Sequence, residues 1–201
     1  EYIHTKPDLR KLQSLNDTFE RWAAVGPIPP GIKLTSESRT TLKDIPLKDM
    51  PPWIGVDRAL GAWHARTKSI QKLKSPTGVL VADAGTVLSL TLLDKRGAFI
   101  GGQLVAGLHL QLRAMANGTQ HLQDPGFITS IPEMFPASTY EAMKRGSIQA
   151  LTGTILNAQK ACNLPLWLCG GDANILLKEL QKNDMEVNYS PNLVMEGMVN
   201  L

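Results

Sequence analysis

The apolar residues Leu9, Leu12, Leu15, Phe19 and Trp22 fall at helical spacing, and Gly26 closes the run. The stretch that follows, rich in proline and polar residues, leaves room for one short strand around Ile32 to Leu34. From Val56 the spacing of Ala59, Leu60, Trp63 and Ile70 predicts another helix. At Thr77 the pattern changes to strand periods: a buried strand from Val79 to Ala82 ending at Asp83, a second from Thr86 to Leu93, and a third from Ala98 to Ile100 ending in Gly101-Gly102. The Asp94 to Gly97 segment, Asp-Lys-Arg-Gly, is the turn between the second and third. Helices are predicted over about Val105–Ala116 and Thr139–Ala161, then a short strand in Pro-Leu-Trp-Leu-Cys. A helix after Gly170-Gly171-Asp172, a strand in Met-Glu-Val-Asn-Tyr and a last helix with Pro191 near its start complete the order.

A hairpin meander followed by alternating helices and strands implies a mixed sheet, antiparallel at one edge and parallel elsewhere, with helices on its faces. That is one α/β domain over residues 77–201, with residues 1–76 too few and too irregular to match it.

Composition narrows the function only by exclusion. The 201 residues are 43% hydrophobic and 19% charged, ordinary for a folded globular chain. The net charge of +3 is scattered, and its densest stretch (Arg66, Lys68, Lys72, Lys74) has no interleaved aromatics. It reads as a solvated helix end rather than a nucleic-acid footprint. Cys162 and Cys169 fit neither a disulfide framework nor a zinc site, and are read as buried thiols of a reducing compartment. His4, His64, His109 and His121 show no metal-ligand spacing. No apolar run suits a membrane span and no secretory signal opens the sequence, which points to the cytoplasm. Because the first residue is Glu, the chain is expected to be incomplete or processed.

Three short stretches could carry chemistry. Asp83 ends a buried strand, where open α/β sheets place ligands, and Gly85 and Thr86 follow it. A glycine there lets the backbone turn tightly, and the threonine offers donors to an anion while the carboxylate holds a cation. The same acid could merely cap the turn. Asp57, in Gly-Val-Asp-Arg, is either a helix N-terminal cap or a general base, with Arg58 as a clamp for an anionic substrate. Gly170-Gly171-Asp172 opens a helix after a strand, so its N–H groups suit a nucleotide or simply make a connection.

In order and spacing, GVDRALGAW, VLVADAGTVLSLTLLDKRGAFIGGQLVAGLHL, STYEAMKRG, LCGGDANIL and NLVMEGM together resemble type III pantothenate kinases, from about Ile45 to the C-terminus. The DIPLKDMPPW segment is most similar to the cyanobacterial branch. The resemblance implies a ribonuclease H-like/actin-like ATPase domain with a mixed five-stranded sheet (βββαβαβα), preceded by the remnant of a second similar domain. It implies a cytoplasmic homodimer that phosphorylates pantothenate with ATP and Mg²⁺, using K⁺ or NH₄⁺ as monovalent cation, in the first step of coenzyme A synthesis. By resemblance Asp57 takes the proton of the pantothenate hydroxyl, Gly55, Val56, Arg58 and Thr139 line the pantothenate site, and Asp83 holds the monovalent cation. Gly85, Thr86, Gly170 and Gly171 are the corresponding ATP contacts. The helices beginning at Val56 and after Gly107 are the expected contributors to the dimer.

Some positions depart from the family pattern. Val87 stands where the family carries alanine and is expected to crowd the turn, whereas Ser89 keeps the family's hydroxyl. Ala106-Gly107 replaces Pro-Gly before a helix, and the family's opening DxGN(T/S) motif does not occur in residues 1–50. A fragment of a kinase is the favoured expectation. A non-catalytic binding relative, similar to Bvg accessory factors, or a phosphotransferase with another acceptor are the alternatives.

Overall fold

A computed structural model describes residues 2–5, 8–14, 19–126, 128 and 130–201. Strands β1 (Val79–Ala84), β2 (Val87–Leu93) and β3 (Phe99–Ala106) form the meander. Strands β4 (Leu166–Cys169) and β5 (Val187–Tyr189) then extend the sheet on the other side of β1, giving the order β3-β2-β1-β4-β5. β1–β2 and β2–β3 are antiparallel, and β1–β4 and β4–β5 parallel. The mixed five-stranded α/β architecture expected of an actin-like domain is therefore present.

Before the sheet lie α1 (Leu9–Ser14) and α2 (Val56–Leu73). After the meander come α3 (Leu108–Gly118), α4 (Thr139–Cys162), α5 (Ala173–Gln181) and α6 (Leu193–Asn200). The two-residue side-chain period of β1 separates two cores. Leu80, Ala82 and Ala84 join Leu88, Leu90, Leu166 and Leu168 under α4 and α5, where Ile148, Leu151, Ile155, Leu176 and Leu180 close the layer. Val79 and Val81 face the opposite way, with Leu93 and Cys169, against Ala62 and Ala65 of α2 and Leu193 of α6. Asp83 continues that second face, so its carboxylate lies on the side covered by α2 and α6. In register it faces Ser89 on β2 and Cys169 on β4, which places the Ser89 hydroxyl on the same face.

Four expectations from the sequence fail. The first helix is described over Leu9–Ser14. Leu15 lies outside the described residues, and Phe19 to Trp22 are not helical. Instead Trp22 bridges to Arg39, donates its indole N–H to Thr35 O at 2.8 Å and lies under the Arg39 guanidinium, a set of contacts that helical spacing cannot foresee. Ile32 to Leu34 form no strand. β3 does not stop at Gly101-Gly102 but runs through them to Ala106, pairing with β2 as far as Val87. A Cβ at Gly102 would strike the Leu90 carbonyl and the Arg58 guanidinium, so glycine here serves close packing rather than a turn. Consequently α3 begins at Leu108, not Val105.

Residues 42–50 are tied to the sheet by Lys48, which exchanges backbone hydrogen bonds with Gly97 and Phe99. This positions the chain entering α2.

Candidate active site

The carboxyl ends of β1 and β4 carry the two turns singled out above, and the structure laces them together. The Asp172 N–H donates to Ala84 O at 2.8 Å, and the Gly107 N–H donates to Thr86 O at 2.9 Å. Gly170 has φ +94°, and a Cβ there would come within 2.6 Å of Asp83 Oδ1 and 2.5 Å of Ala84 O. Glycine is therefore required at 170 by both conformation and space. Gly107 is likewise pressed against the Gly85 and Thr86 carbonyls.

Gly85 differs from the expectation. Its φ is not left-handed and a Cβ would meet nothing within 4 Å, so the turn itself does not demand glycine. A Cβ at Gly171 would also meet open space. These two backbones are where a phosphate can approach without displacing protein atoms. Val87 is 40% exposed, so it does not crowd the turn.

A cleft of about 530 Å³ lies beside the turns, lined by Asp57, Asp83, Cys169, Gly170 and Gly171 together with residues at the start of α6. Asp57 reaches it because α2 packs its small-residue face on β1 and β2, which brings the helix N-terminus to the end of β1. Gly55 is the N-cap of α2 and makes no side-chain cap, while Asp57 Oδ1 accepts the Arg58 N–H at 2.7 Å. The acid thus serves its own helix end and also lines the cleft, so the cap and base readings of the sequence do not exclude each other.

Arg58 is placed otherwise than the sequence suggests. Its Nε and Nη2 donate to Thr91 Oγ1 at 3.2 and 3.1 Å, and Nη2 also donates to Leu90 O at 3.2 Å. The guanidinium is thereby held on β2 beneath Gly102 and does not line the cleft. Gly55 and Val56 line a neighbouring cavity of about 570 Å³, beside Trp53 and Ile54. Thr139, in the first turn of α4, is exposed and lines neither cavity. Thr86 is exposed at the hairpin tip.

The electrostatics fit a cation–anion site. Burial raises the Asp83 pKa, and the charge of Asp57 raises it further, against the pull of Arg58 and a hydrogen bond from the Cys169 thiol. Burial lowers the Arg58 pKa, opposed by Asp57 and Asp83. The Cys169 thiol is pushed far up by burial and then by the two carboxylates, so it remains a protonated donor to Asp83. Burial also raises Asp172, offset by His109, whose Nε2 lies 4.0 Å from Oδ1. A buried carboxylate with another negative charge nearby gains most from a bound cation. Among the described residues no group of three or more His, Cys, Asp or Glu could hold a metal unaided. Asp83 and Asp57 therefore fit a hard cation that takes its remaining oxygens from phosphates and water.

Sequence reasoning missed His4, Cys169 and Tyr189 on the cleft wall. Cys169 could have been found, since the residue before a Gly-Gly turn on a strand parallel to β1 must lie beside the β1 terminus. No local signal marks His4, whose ring nitrogen Nε2 lies 2.8 Å from Asn192 Oδ1.

Comparison with known proteins bears on the family and the fold. The sequence profile described as type III pantothenate kinase matches residues 17–160. A type III pantothenate kinase of Synechococcus sp. (strain JA-3-3Ab) is 34% identical over 191 aligned positions, covering 89% of this chain and 74% of the relative. Another, from Synechococcus sp. (strain JA-2-3B'a(2-13)), is 32% identical and covers 89% of this chain and 71% of its own length. Among solved structures, a Campylobacter jejuni protein described as a Baf family transcriptional activator superposes with a TM-score of 0.56 at 19% identity, over 82% of this chain and 72% of that one. That last similarity speaks to the fold alone.

Proposed function

Since the chain belongs to the type III pantothenate kinase family, we propose that it transfers the γ-phosphoryl group of ATP to the 4′-hydroxyl of pantothenate, opening coenzyme A biosynthesis. The observation that carries the reading is the placement of Asp57 and Asp83 in one cleft with the Gly170-Gly171 turn.

In this reading ATP occupies the cleft, with its phosphates over the open backbone at Gly85 and Gly171 and beside the exposed Thr86. Pantothenate lies at the adjoining cavity beside Gly55 and Val56, so the α2 N-terminus stands between donor and acceptor. The Asp57 carboxylate accepts the hydroxyl proton as the new O–P bond forms, and the β–γ bridging O–P bond breaks to release ADP. Arg58 keeps Asp57 in place by fastening the first turn of α2 to β2, and its charge tempers that of Asp83. Asp83 would hold a monovalent cation and the phosphates Mg²⁺; such cations neutralise the charge that develops on the transferred group. Thr139 can contact pantothenate only from a second copy of the chain or after a movement of α4, since it lies outside both cavities. A homodimer is part of this reading. Retention of both carboxylates in one cleft favours catalysis over a binding-only scaffold.

No helix among the described residues is long and apolar enough to cross a membrane. The test is an assay of the full-length protein with ATP, Mg²⁺ and pantothenate, with and without K⁺. Pantothenate-dependent ADP release and a phosphopantothenate product by mass spectrometry are expected. ADP release unaffected by pantothenate would overturn the reading.

A further inference from the structure

The cavity of about 570 Å³ beside the start of α2 differs in charge from the cleft next to it. Asp57 and Asp83 wall the cleft, whereas two cationic residues, Arg39 and Lys43, line the cavity, and among the described residues no acidic one does. Both cationic residues are exposed, so a solute can reach them. Among the described residues neither has a carboxylate partner. Asp44, next to Lys43 in the chain, is already engaged: its Oδ2 accepts the Thr41 N–H at 2.7 Å and the Thr41 hydroxyl at 2.8 Å. The Arg39 guanidinium stands over the Trp22 ring, 5.2 Å from its centroid, and the two backbones are bridged, which fixes where this cation is presented. Two cations without a counter-charge in one concave site attract an anion.

The rest of the wall selects among anions. Val25 and Trp53 are 65% and 67% exposed and offer apolar surface to a carbon chain. Trp53 is braced edge-on against Phe99, with ring centroids 5.9 Å apart. Gly55 also lines the cavity, and a Cβ on it would strike Asp57 Oδ1, so the carboxylate read above as the base lies at the cavity edge. A molecule reaching from Asp57 to the cations therefore carries a hydroxyl at one end, apolar carbon between, and a negative group at the other. Arg58, the anion clamp expected from the sequence, is bound to Thr91 and lines neither cavity, which leaves that negative group to Arg39 and Lys43.

We propose that Lys43, together with Arg39, is the specificity determinant that binds the carboxylate of the acceptor, so that the site selects the free hydroxy acid over its neutral alcohol and amide analogues. The inference rests on the placement of pantothenate in this cavity given under the proposed function.

The probes are pantothenate and panthenol, which keeps the same reactive hydroxyl but carries a neutral alcohol in place of the carboxylate. Both are assayed with the full-length protein, ATP, Mg²⁺ and K⁺. Expected is a kcat/KM for pantothenate well above that for panthenol. Lys43→Gln should lose roughly tenfold or more of this preference through a higher KM for pantothenate, and Lys43→Glu should lose more. Arg39→Gln should shift the preference in the same direction. Because Lys43 is exposed and has no carboxylate partner, Lys43→Gln should melt with the parent, and it reports even if Arg39→Gln unsettles Trp22. A parent that phosphorylates pantothenate with no preference over panthenol, or an undiminished preference in Lys43→Gln, would overturn this inference and leave the kinase reading standing. A parent that phosphorylates neither compound would overturn the kinase reading and this inference with it.

Discussion

The Asp57 carboxylate at the start of α2 and the Asp83 carboxylate at the end of β1 line one cleft, and the charge of the first raises the pKa of the second. Burial is the larger cause of that rise, so the ligand-free protein is destabilised by ionising Asp83. A raised folded-state value means the penalty is absent below the ordinary carboxyl value of 3.8, grows as pH rises past it, and is complete above the folded value. Asp83→Asn should therefore melt several degrees above the parent at pH 7 without ligands, with the difference vanishing near pH 3, while kinase activity is lost. Thermal melts across pH check this, and a variant less stable than the parent at pH 7 would contradict it.

Asp57→Asn should lower kcat by about 10²–10⁴ with little change in KM for ATP. The amide oxygen can still accept the Arg58 N–H, so circular dichroism and melting temperature should stay close to the parent. An unchanged kcat would remove the general-base assignment.

Gly170→Ala places a methyl against Asp83 Oδ1 and Ala84 O in a left-handed conformation. It should cost more than about 1 kcal/mol of stability and weaken ATP binding, whereas Gly171→Ala, with open space around it, should leave stability nearly unchanged. Urea unfolding of both variants separates the two cases.

Arg58→Lys and Thr91→Val each break the fastening of α2 to β2, at a cost of about 1–3 kcal/mol. Because both remove the Arg58–Thr91 hydrogen bonds, the double variant should cost less than the sum of the two. Activity should fall through kcat, as Asp57 loses its alignment. If instead Arg58→Lys raised only the KM for pantothenate, Arg58 would be a substrate clamp after all.

The meander, the alternation that follows it and the long α4 could be read directly, because strand and helix periods are local properties of the chain. What periodicity could not supply was pairing. β3 continued past Gly101-Gly102 because β2 offered it partners as far as Val87, and Trp22 left its helical spacing for Thr35 and Arg39. In the site the residue types were legible, yet their company was not. Arg58 looked like a clamp beside Asp57 and turned out to be bound to Thr91, a residue far along the chain.

The sequence by itself determined the order of elements and put an acid at the end of a buried strand, since hydrophobic period and turn residues act over a few neighbours. Only the tertiary structure decided what that acid meets. Packing α2 on one face of the sheet brought Asp57 to Asp83, and the parallel pairing of β4 set Cys169 and Gly170 beside it. Those contacts depend on which surfaces bury together, and no short window of sequence records that.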